Sequence, residues 1–195
     1  MRIAVPESIR RLMAVMEAAG FEACAVGGCV RDSLLGNMPN DWDMCTSAFP
    51  EETMELFERT IPTGVKHGTV TVIWEGEPIE LTTYRVDGSY TDFRRPDEVT
   101  FTRTLEEDLS RRDFTVNAMA CRSDGEVIDL FGGQEDLAKG MIRCVGDPMR
   151  RFREDALRIL RGLRFAARLG FSLEAGTAEA ALELRNLRRF PDCMG

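Results

Sequence analysis

Residues 27–43 read GGCVRDSLLGNMPNDWD, and this stretch decides how the rest of the chain is interpreted. Gly27 and Gly28 lack a Cβ atom, so their backbone N–H groups can approach a phosphate closely. The turn leads into a short helical segment whose positive end faces the same way. We therefore expect Gly27 and Gly28, with Arg31 beside them, to bind the phosphates of a nucleotide.

Two carboxylates follow the glycine turn at a spacing of two residues. Asp41 and Asp43 flank Trp42. We predict a strand over 41–46, in which the two carboxylates point to one face and Trp42 points to the core. Two strand acids are often ordinary surface residues. Next to a phosphate site, however, they favour a Mg²⁺ site that bridges the carboxylates and the phosphates.

Composition limits the classes of protein to consider. The chain has 195 residues, enough for one substantial domain or for a domain with part of another. Its start lacks a signal-peptide core, and no apolar stretch reaches the length of a membrane span, so we expect a cytoplasmic protein without a membrane partner. The six cysteines show no CxxC spacing, which predicts reduced thiols and no zinc site. His67 is the only histidine, which gives little support to a histidine-dependent nucleophile.

Charge is distributed unevenly along the chain. The net charge is −8, yet residues 147–171 contain seven arginines and three acids. One basic segment on an acidic protein is typical of phosphate or RNA contact at a defined place.

Apolar periodicity and turn residues predict a helix over 6–19, a strand over 21–26, a helix from Pro50 and a hairpin of strands over 69–74 and 79–84. In the second hairpin strand, Glu80 lies on the face opposite Ile79 and Leu81. If that face meets Asp41 and Asp43, Glu80 is a third catalytic carboxylate; an exposed surface glutamate is the alternative.

The C-terminal quarter predicts a separate helical unit. Residues 87–103 are polar and aperiodic, typical of a loop. Asp147 and Pro148 form a helix start, and one helix is predicted from there to Leu169. Its apolar stripe would comprise Phe152, Ala156, Ile159, Leu160, Leu163 and Ala167. We place a domain boundary here, with a head over 1–146 and a neck over 147–195.

Two side chains of this helix have the chemistry to select a base. Glu154 and Arg158 could be no more than a surface ion pair, which contributes about 0.5 kcal/mol. Asp155 and Arg158 admit a sharper interpretation. Cytosine and adenine each present an amino donor beside a ring-nitrogen acceptor, so an aspartate and an arginine together would accept C or A and refuse U or G.

Four segments in order resemble the class II tRNA nucleotidyltransferase and bacterial poly(A) polymerase family, the CCA-adding branch in particular. They are GGCVRD from Gly27, DWD from Asp41, RRDFTVNA from Arg111 and DPMRRFREDALRILRGLRFAARLGF from Asp147. The resemblance implies an α+β fold, in which a DNA-polymerase-beta-like head with a mixed sheet and helices precedes an all-α neck. It also implies that the chain is truncated within the neck.

The resemblance also implies roles for individual residues. Asp41 and Asp43 would hold Mg²⁺, and Asp113, with Arg112 nearby, would recognise the ribose 2′-hydroxyl. Asp155 and Arg158 would select the base, with Glu154 orienting the arginine. Arg161 is a further nucleotide-binding candidate, and the loop over 87–103 would help to switch between C and A.

The activity implied is template-independent addition of C and A, from CTP and ATP, to the 3′ end of tRNA by a two-metal mechanism. The poly(A) branch tends to carry proline after the Glu-Asp pair, where this chain has Ala156, so CCA addition is favoured. A poly(A) or A-adding polymerase is one alternative. A nucleotide-binding module without turnover is the other, because the RNA must also be held.

Overall fold

The structure is a computed structural model, and it describes residues 1–88 and 99–184. The helices there are α1 Glu7–Ala18, α2 Gly28–Leu34, α3 Pro50–Leu56, α4 Leu105–Ser110, α5 Gly133–Lys139, α6 Pro148–Glu154, α7 Leu157–Leu169 and α8 Ala175–Leu184. The strands are β1 Ala23–Val26, β2 Met44–Thr46, β3 Thr60–Gly64, β4 Thr69–Trp74, β5 Glu77–Thr83, β6 Arg85–Asp87, β7 Val99–Phe101, β8 Met119–Cys121, β9 Val127–Asp129, β10 Met141–Ile142 and β11 Ser172–Leu173.

A seven-stranded mixed sheet forms the centre of the molecule, in the order β3-β4-β5-β2-β1-β8-β9. β2 and β5 run parallel, and the other neighbours in this sheet are antiparallel. The predicted α+β fold with a mixed sheet is therefore confirmed. The predicted hairpin is also present, because β4 and β5 pair through the two-residue turn of Glu75 and Gly76.

Both faces of the sheet are covered. In β1, Ala23 and Ala25 belong to the larger core cluster with α1, whereas Cys24 and Val26 belong to a second cluster with α4. This alternation follows from the two-residue period of a strand. It explains why β1 is apolar at every position, and it fixes the chain rigidly just before the glycine turn.

The predicted strand over 41–46 is shorter than expected, because β2 begins only at Met44. Asp41 and Asp43 lie in the loop before it and are exposed, while Trp42 packs against the core as predicted. The backbone carbonyl of Asp43 accepts a hydrogen bond from the N–H of Val26 at 2.9 Å. The acid pair is therefore held next to the residue that precedes Gly27.

The single helix predicted from Pro148 to Leu169 is wrong, because the chain breaks at Asp155. Asp155 is extended, with φ −139° and ψ 103°, and it separates α6 from α7. Its side chain accepts a hydrogen bond from the N–H of Leu157 at 2.8 Å. Asp155 thus satisfies a backbone donor at the start of α7, which is the usual reason for an aspartate at a helix start.

The predicted apolar stripe is also wrong at three positions of α7. Leu160 and Leu163 are 47% and 51% exposed, and Ala167 is exposed as well. Arg158 and Gly162 are buried instead, because α7 approaches the head closely at Gly162. A Cβ atom there would lie 2.9 Å from Cζ of Phe114, so only glycine permits this approach.

The segment predicted as the neck packs directly on the segment predicted as the head. Phe152 of α6 and Ala180 of α8 belong to the same core cluster as Phe114. β11 pairs in parallel with β10, so the all-α expectation for the neck misses one short strand. Residues 89–98 of the predicted loop lie outside the described residues, and the residues on either side pair as β6 and β7. Within residues 1–88 and 99–184, none of the helices has the length and apolar content that a membrane span requires.

Candidate active site

A cavity of about 850 Å³ lies between the head and the neck. Its lining comes from the glycine turn, the loop before β2, the β3–β4 turn, β6, the 111–117 segment, the break between α6 and α7, and α7 itself. Six arginines and four aspartates line it, so its formal charge is positive although the chain is acidic. Of the residues proposed from sequence, it gathers Gly27, Gly28, Arg31, Asp43, Arg112, Asp113, Asp155, Arg158 and Arg161.

The glycine turn forms one wall of the cavity. Gly27 has φ 79° and ψ −122°, a conformation that an L-residue rarely adopts. Its N–H donates to the carbonyl of Met119 at 3.1 Å, so this group is already engaged, contrary to the expectation that it faces a phosphate. Gly28 is the first residue of α2, and its N–H has no intrahelical acceptor.

Arg31 is held firmly at the base of this wall. Its side chain is 5% exposed and pairs with Asp32 at 2.8 Å. Its Nη1 donates to Oδ1 of Asn117 at 2.6 Å, and its guanidinium lies over the ring of Phe165, 5.3 Å from the centroid. A charged group fixed by three partners is preorganised to receive an anion.

Of the acid pair, Asp43 lines the same cavity. The pKa of the Asp43 carboxyl is raised, mainly because surrounding protein atoms remove water from it and further because Asp41 repels it, while Arg112 opposes the shift. A concave wall accounts for this desolvation even though Asp43 keeps contact with solvent. Two hard oxygen donors that repel each other fit a divalent cation, which relieves the repulsion.

Glu80 does not join this pair in the structure. No group of three or more His, Cys, Asp or Glu side chains in residues 1–88 and 99–184 lies close enough together to hold a metal ion. Glu80 itself is exposed on β5. Its role as a third carboxylate stays a prediction.

Arg111 and Arg112 form a second wall of the cavity, the arginine wall, and a buried aspartate that sequence reasoning missed supports it. Asp108 of α4 is fully buried, and it accepts hydrogen bonds from Nη2 of Arg111 at 2.8 Å and from Nη2 of Arg112 at 3.1 Å. Burial by itself would raise the pKa of Asp108, but the two guanidinium groups outweigh it and the pKa is lowered. The signal available in the sequence was an acid three and four residues before two arginines.

Arg112 has a donor directed at no protein group. Its Nε is buried and has no hydrogen-bond partner among the described residues. Buried polar groups without a partner are rare in folded proteins, and in a cavity such a donor is suited to a ligand.

Asp113, the residue expected to sense a ribose hydroxyl, already has protein partners. Its Oδ1 accepts from the N–H of Phe114 at 2.8 Å, and its Oδ2 accepts from Nε of Arg161 at 2.7 Å. Arg161 also lies over the ring of Phe165. The contact joins the head to the neck across the cavity, so the two predicted residues act as a pair.

The proposed base-reading residues are brought together at the break between α6 and α7. Arg158 donates to Oε2 of Glu154 at 3.0 Å, to the carbonyl of Arg151 at 3.4 Å and to the carbonyl of Arg111 at 3.2 Å. Among the described residues these acceptors use three of its five N–H hydrogens. Glu154 itself does not line the cavity, which agrees with a supporting position behind the arginine.

Sequence reasoning also left out His67, Arg85, Asp87 and Asn117, which line the cavity. His67 lies at the end of a short 3₁₀ turn between β3 and β4, and its carbonyl accepts from Arg85. No local pattern distinguishes a turn histidine of this kind from a surface residue.

Residues 23–143 match the poly A polymerase head domain. The chain belongs to this family. The match covers most of the segment that we assign to the head, including the glycine turn, the acid pair and the arginine wall. The poly A polymerase head domain thus accounts for the head side of the cavity, while Asp155 and Arg158, predicted from the sequence to select the base, lie beyond it.

The similarity to related proteins and to solved structures continues beyond the poly A polymerase head domain into the neck. The CCA-adding enzyme of Leuconostoc mesenteroides subsp. mesenteroides is 58% identical over 173 residues, which are 89% of this chain and 43% of that enzyme. The crystal structure of Bacillus stearothermophilus CCA-adding enzyme in complex with CTP superposes with a TM-score of 0.85 at 44% identity, covering 94% of this chain and 45% of that one.

A third comparison involves RNA. Thermotoga maritima CCA-adding enzyme complexed with tRNA_CCA matches with a TM-score of 0.73 at 29% identity, over 92% of this chain and 42% of that one. The chain therefore spans less than half the length of these relatives.

Proposed function

We propose that the chain is the catalytic part of a CCA-adding tRNA nucleotidyltransferase, a Mg²⁺-dependent enzyme that adds C and A to the 3′ end of tRNA. The observation that carries the proposal is the cavity itself. One space of about 850 Å³ is lined by the side chains from the head and the neck that we assign to the phosphates, the ribose and the base. That volume lies in the range typical of small-ligand pockets.

The phosphates of the incoming nucleotide are assigned to the wall formed by Gly28, Arg31 and Arg112. Arg31 is fixed by its contacts with Asp32 and Asn117, and Nε of Arg112 has no partner in the part of the protein that the structure describes. Positive groups held in place before the ligand arrives stabilise charge without reorganising. The leaving pyrophosphate needs this type of stabilisation.

Asp41 and Asp43 are the residues that would hold Mg²⁺. A magnesium ion is commonly bound by one or two carboxylates together with substrate phosphates, so the pair fits without a third protein ligand. When bound, the metal supplies charge neutralisation and a lowered pKa for an RNA 3′-hydroxyl. The raised pKa of Asp43 fits a site whose charge is balanced by a cation.

Asp113 and Arg112 are assigned to the ribose, and Asp155 and Arg158 to the pairing edge of the base. Arg158 keeps two N–H hydrogens beyond those donated to the described protein groups. A site that hydrogen-bonds polar groups of the correct ligand rejects a ligand with the opposite pattern, because buried groups would then be left unpaired. CTP and ATP share the accepted pattern, and UTP and GTP do not.

We do not assign the binding of the tRNA body to the described residues. We propose that this chain supplies nucleotide selection and chemistry, and that other parts of a longer protein contribute to the RNA grip. The relatives are named CCA-adding enzymes, and one is seen with tRNA_CCA. A tRNA substrate, in turn, is consistent with a cytoplasmic protein whose described cysteines are free.

Primer extension tests the proposal. The purified chain is given Mg²⁺, each nucleoside triphosphate separately, and either a tRNA lacking its CCA end or an unrelated RNA oligomer. Addition of C and then A to the tRNA alone supports CCA addition by this part of the enzyme. A-tailing of both primers indicates a poly(A) polymerase instead. Binding of CTP and ATP without extension indicates that this chain selects nucleotides but does not hold the RNA, and no binding of any nucleotide contradicts the proposal.

A further inference from the structure

We propose that Arg151 is a positioning residue for nucleotide selection, which anchors Glu154 and through it Arg158 to the head. The inference rests on the proposed function, since it concerns how the base-reading arginine is held. Arg151 does not line the cavity, and no motif in the sequence distinguishes it from the other neck arginines.

All three nitrogens of the Arg151 guanidinium have acceptors. Nη2 donates to the carbonyl of Ser110 at 2.7 Å, and Nε donates to the carbonyl of Val145 at 3.1 Å. Nη1 donates to Oε2 of Glu154 at 2.8 Å. Its side chain is 13% exposed. Two head carbonyls and one neck carboxylate are thus joined by one planar group, whose geometry is fixed.

The same carboxylate oxygen then determines where Arg158 lies. Oε2 of Glu154 also accepts from Nη1 of Arg158 at 3.0 Å, and the carbonyl of Arg151 accepts from that Nη1 at 3.4 Å. Arg158 follows a break in the helix rather than a rigid turn. Its guanidinium therefore depends on Arg151 and Glu154 for orientation, besides its contact with the carbonyl of Arg111.

The neighbouring Arg150 provides a matched control. Its Nε donates to the other oxygen of Glu154, Oε1, at 2.9 Å, so its ion pair has nearly the same length. Its side chain is 75% exposed, however, and among the described residues it forms no side-chain hydrogen bond or ion pair with the head. An exposed ion pair contributes little, and a partner that is itself free in solvent cannot fix the orientation of Glu154.

Loss of Arg151 should affect selectivity more than affinity. Arg158 keeps its charge and still attracts a nucleotide, but it samples orientations that no longer match one pairing edge. Misplacement by about 1 Å is enough to weaken directional contacts severely. The ratio of CTP to UTP affinity, and of ATP to GTP affinity, should fall about tenfold, while affinity for CTP itself falls less.

The test measures binding of CTP, ATP, UTP and GTP with Mg²⁺ to the wild-type chain, Arg150→Ala and Arg151→Ala. We expect Arg150→Ala to keep the selectivity of the wild-type chain. In Arg151→Ala, the ratios of CTP to UTP affinity and of ATP to GTP affinity should be about tenfold smaller. Unchanged ratios in Arg151→Ala, in a wild-type background that does discriminate, overturn the inference and leave the proposed function standing. A wild-type chain that binds all four nucleotides equally overturns the proposed function first.

Circular dichroism and thermal unfolding show whether each variant is folded. If Arg151→Ala does not fold, Arg151→Lys decides the matter. Lysine keeps the charge and the aliphatic stem, but its single nitrogen cannot hold the fixed fork to Ser110, Val145 and Glu154. A folded Arg151→Lys chain with relaxed selectivity supports the inference, and one with full selectivity contradicts it.

Discussion

Oδ2 of Asp108 accepts a hydrogen bond from Nη2 of Arg112 at 3.1 Å, beneath the floor of the cavity. The other oxygen of the same carboxylate accepts from Arg111 and from the backbone N–H of Arg85. One buried charge thus orients two cavity arginines. Arg112 can present its remaining donors to a ligand because Asp108 balances its charge from behind.

Replacing Asp108 with Asn should destabilise the chain by about 3 kcal/mol, because two partly buried guanidinium groups lose their counter-charge. Chemical denaturation at neutral pH measures this. Glu107→Gln is the control, since Glu107 is exposed and bonds to Thr102. An equal, small effect of both substitutions would show that Asp108 does not stabilise the arginine wall.

The same pair predicts a pH dependence of stability. The folded-state pKa of Asp108 is lowered, so its contribution is fully present above the unfolded value of about 3.9 and is lost as the pH falls through the folded value. The free energy of unfolding of the wild-type chain should therefore fall on acidification below about pH 4. In Asp108→Asn, the free energy of unfolding should decrease less on acidification than in the wild-type chain. The same pH dependence in both chains would show that Asp108 does not cause the decrease.

Gly27→Ala should weaken nucleotide binding and stability together. The φ of 79° is unfavourable for alanine by about 1–3 kcal/mol, and the new Cβ would lie 3.4 Å from Nη1 of Arg112. Gly20→Ala is the matched control, because Gly20 has φ 87° and no described atom lies within 4 Å of the new Cβ. It should lose stability but keep CTP affinity; equal losses of affinity in both variants would show that Gly27 does not support Arg112 in the phosphate site.

Asp41→Ala or Asp43→Asn should abolish nucleotide incorporation with little change in stability, within about 0.5 kcal/mol, since both residues are exposed. Asp43→Asn should even stabilise slightly, because it removes a repelled carboxylate with a raised pKa. Mn²⁺ titration in the presence of CTP checks metal binding directly. Retained binding and incorporation would place the metal elsewhere. Glu80→Gln, measured alongside, tests the third carboxylate by the same two readouts.

Gly162→Ala should separate α7 from the head. Its Cβ would lie 2.9 Å from the ring of Phe114, so the contact between head and neck must open by some tenths of an ångström or more. We expect a loss of about 1–3 kcal/mol in the free energy of unfolding. Gly176→Ala is the control, since the described atoms nearest its Cβ belong to the flexible carboxylate of Glu174, at 3.4 Å or more, and alanine favours a helix. A stabilised Gly162→Ala chain would contradict the close packing at this point.

Much of the head could be predicted from the sequence because local signals there agree with the tertiary structure. The spacing of Ile9, Leu12, Met13 and Met16 predicts α1, and all four are buried. The alternation of Val70 and Val72 predicts β4, and both are buried. The glycine turn and the other candidate site residues were identified from motifs, and nine of the twelve candidates line one cavity, all but Asp41, Glu80 and Glu154.

The neck was harder to predict, because its packing depends on residues that the apolar pattern ignores. A periodicity argument treats Gly162 as neutral and Arg158 as exposed, yet both face the head, and this rotates Leu160 and Leu163 outward. The break at Asp155 depends on a side-chain hydrogen bond that competes with a continuous helix. Asp108 was missed because an acid among other acids on a short helix is usually solvent-exposed.

The decisive experiment measures the affinity of the chain for each of the four nucleoside triphosphates with Mg²⁺ and no RNA. We predict that CTP and ATP bind at least about tenfold more tightly than UTP and GTP, because Asp155 and Arg158 complement only the first two pairing edges. Exchanging these two residues for alanine should abolish the difference. Equal binding of all four nucleotides by the wild-type chain would show that this site does not select the base.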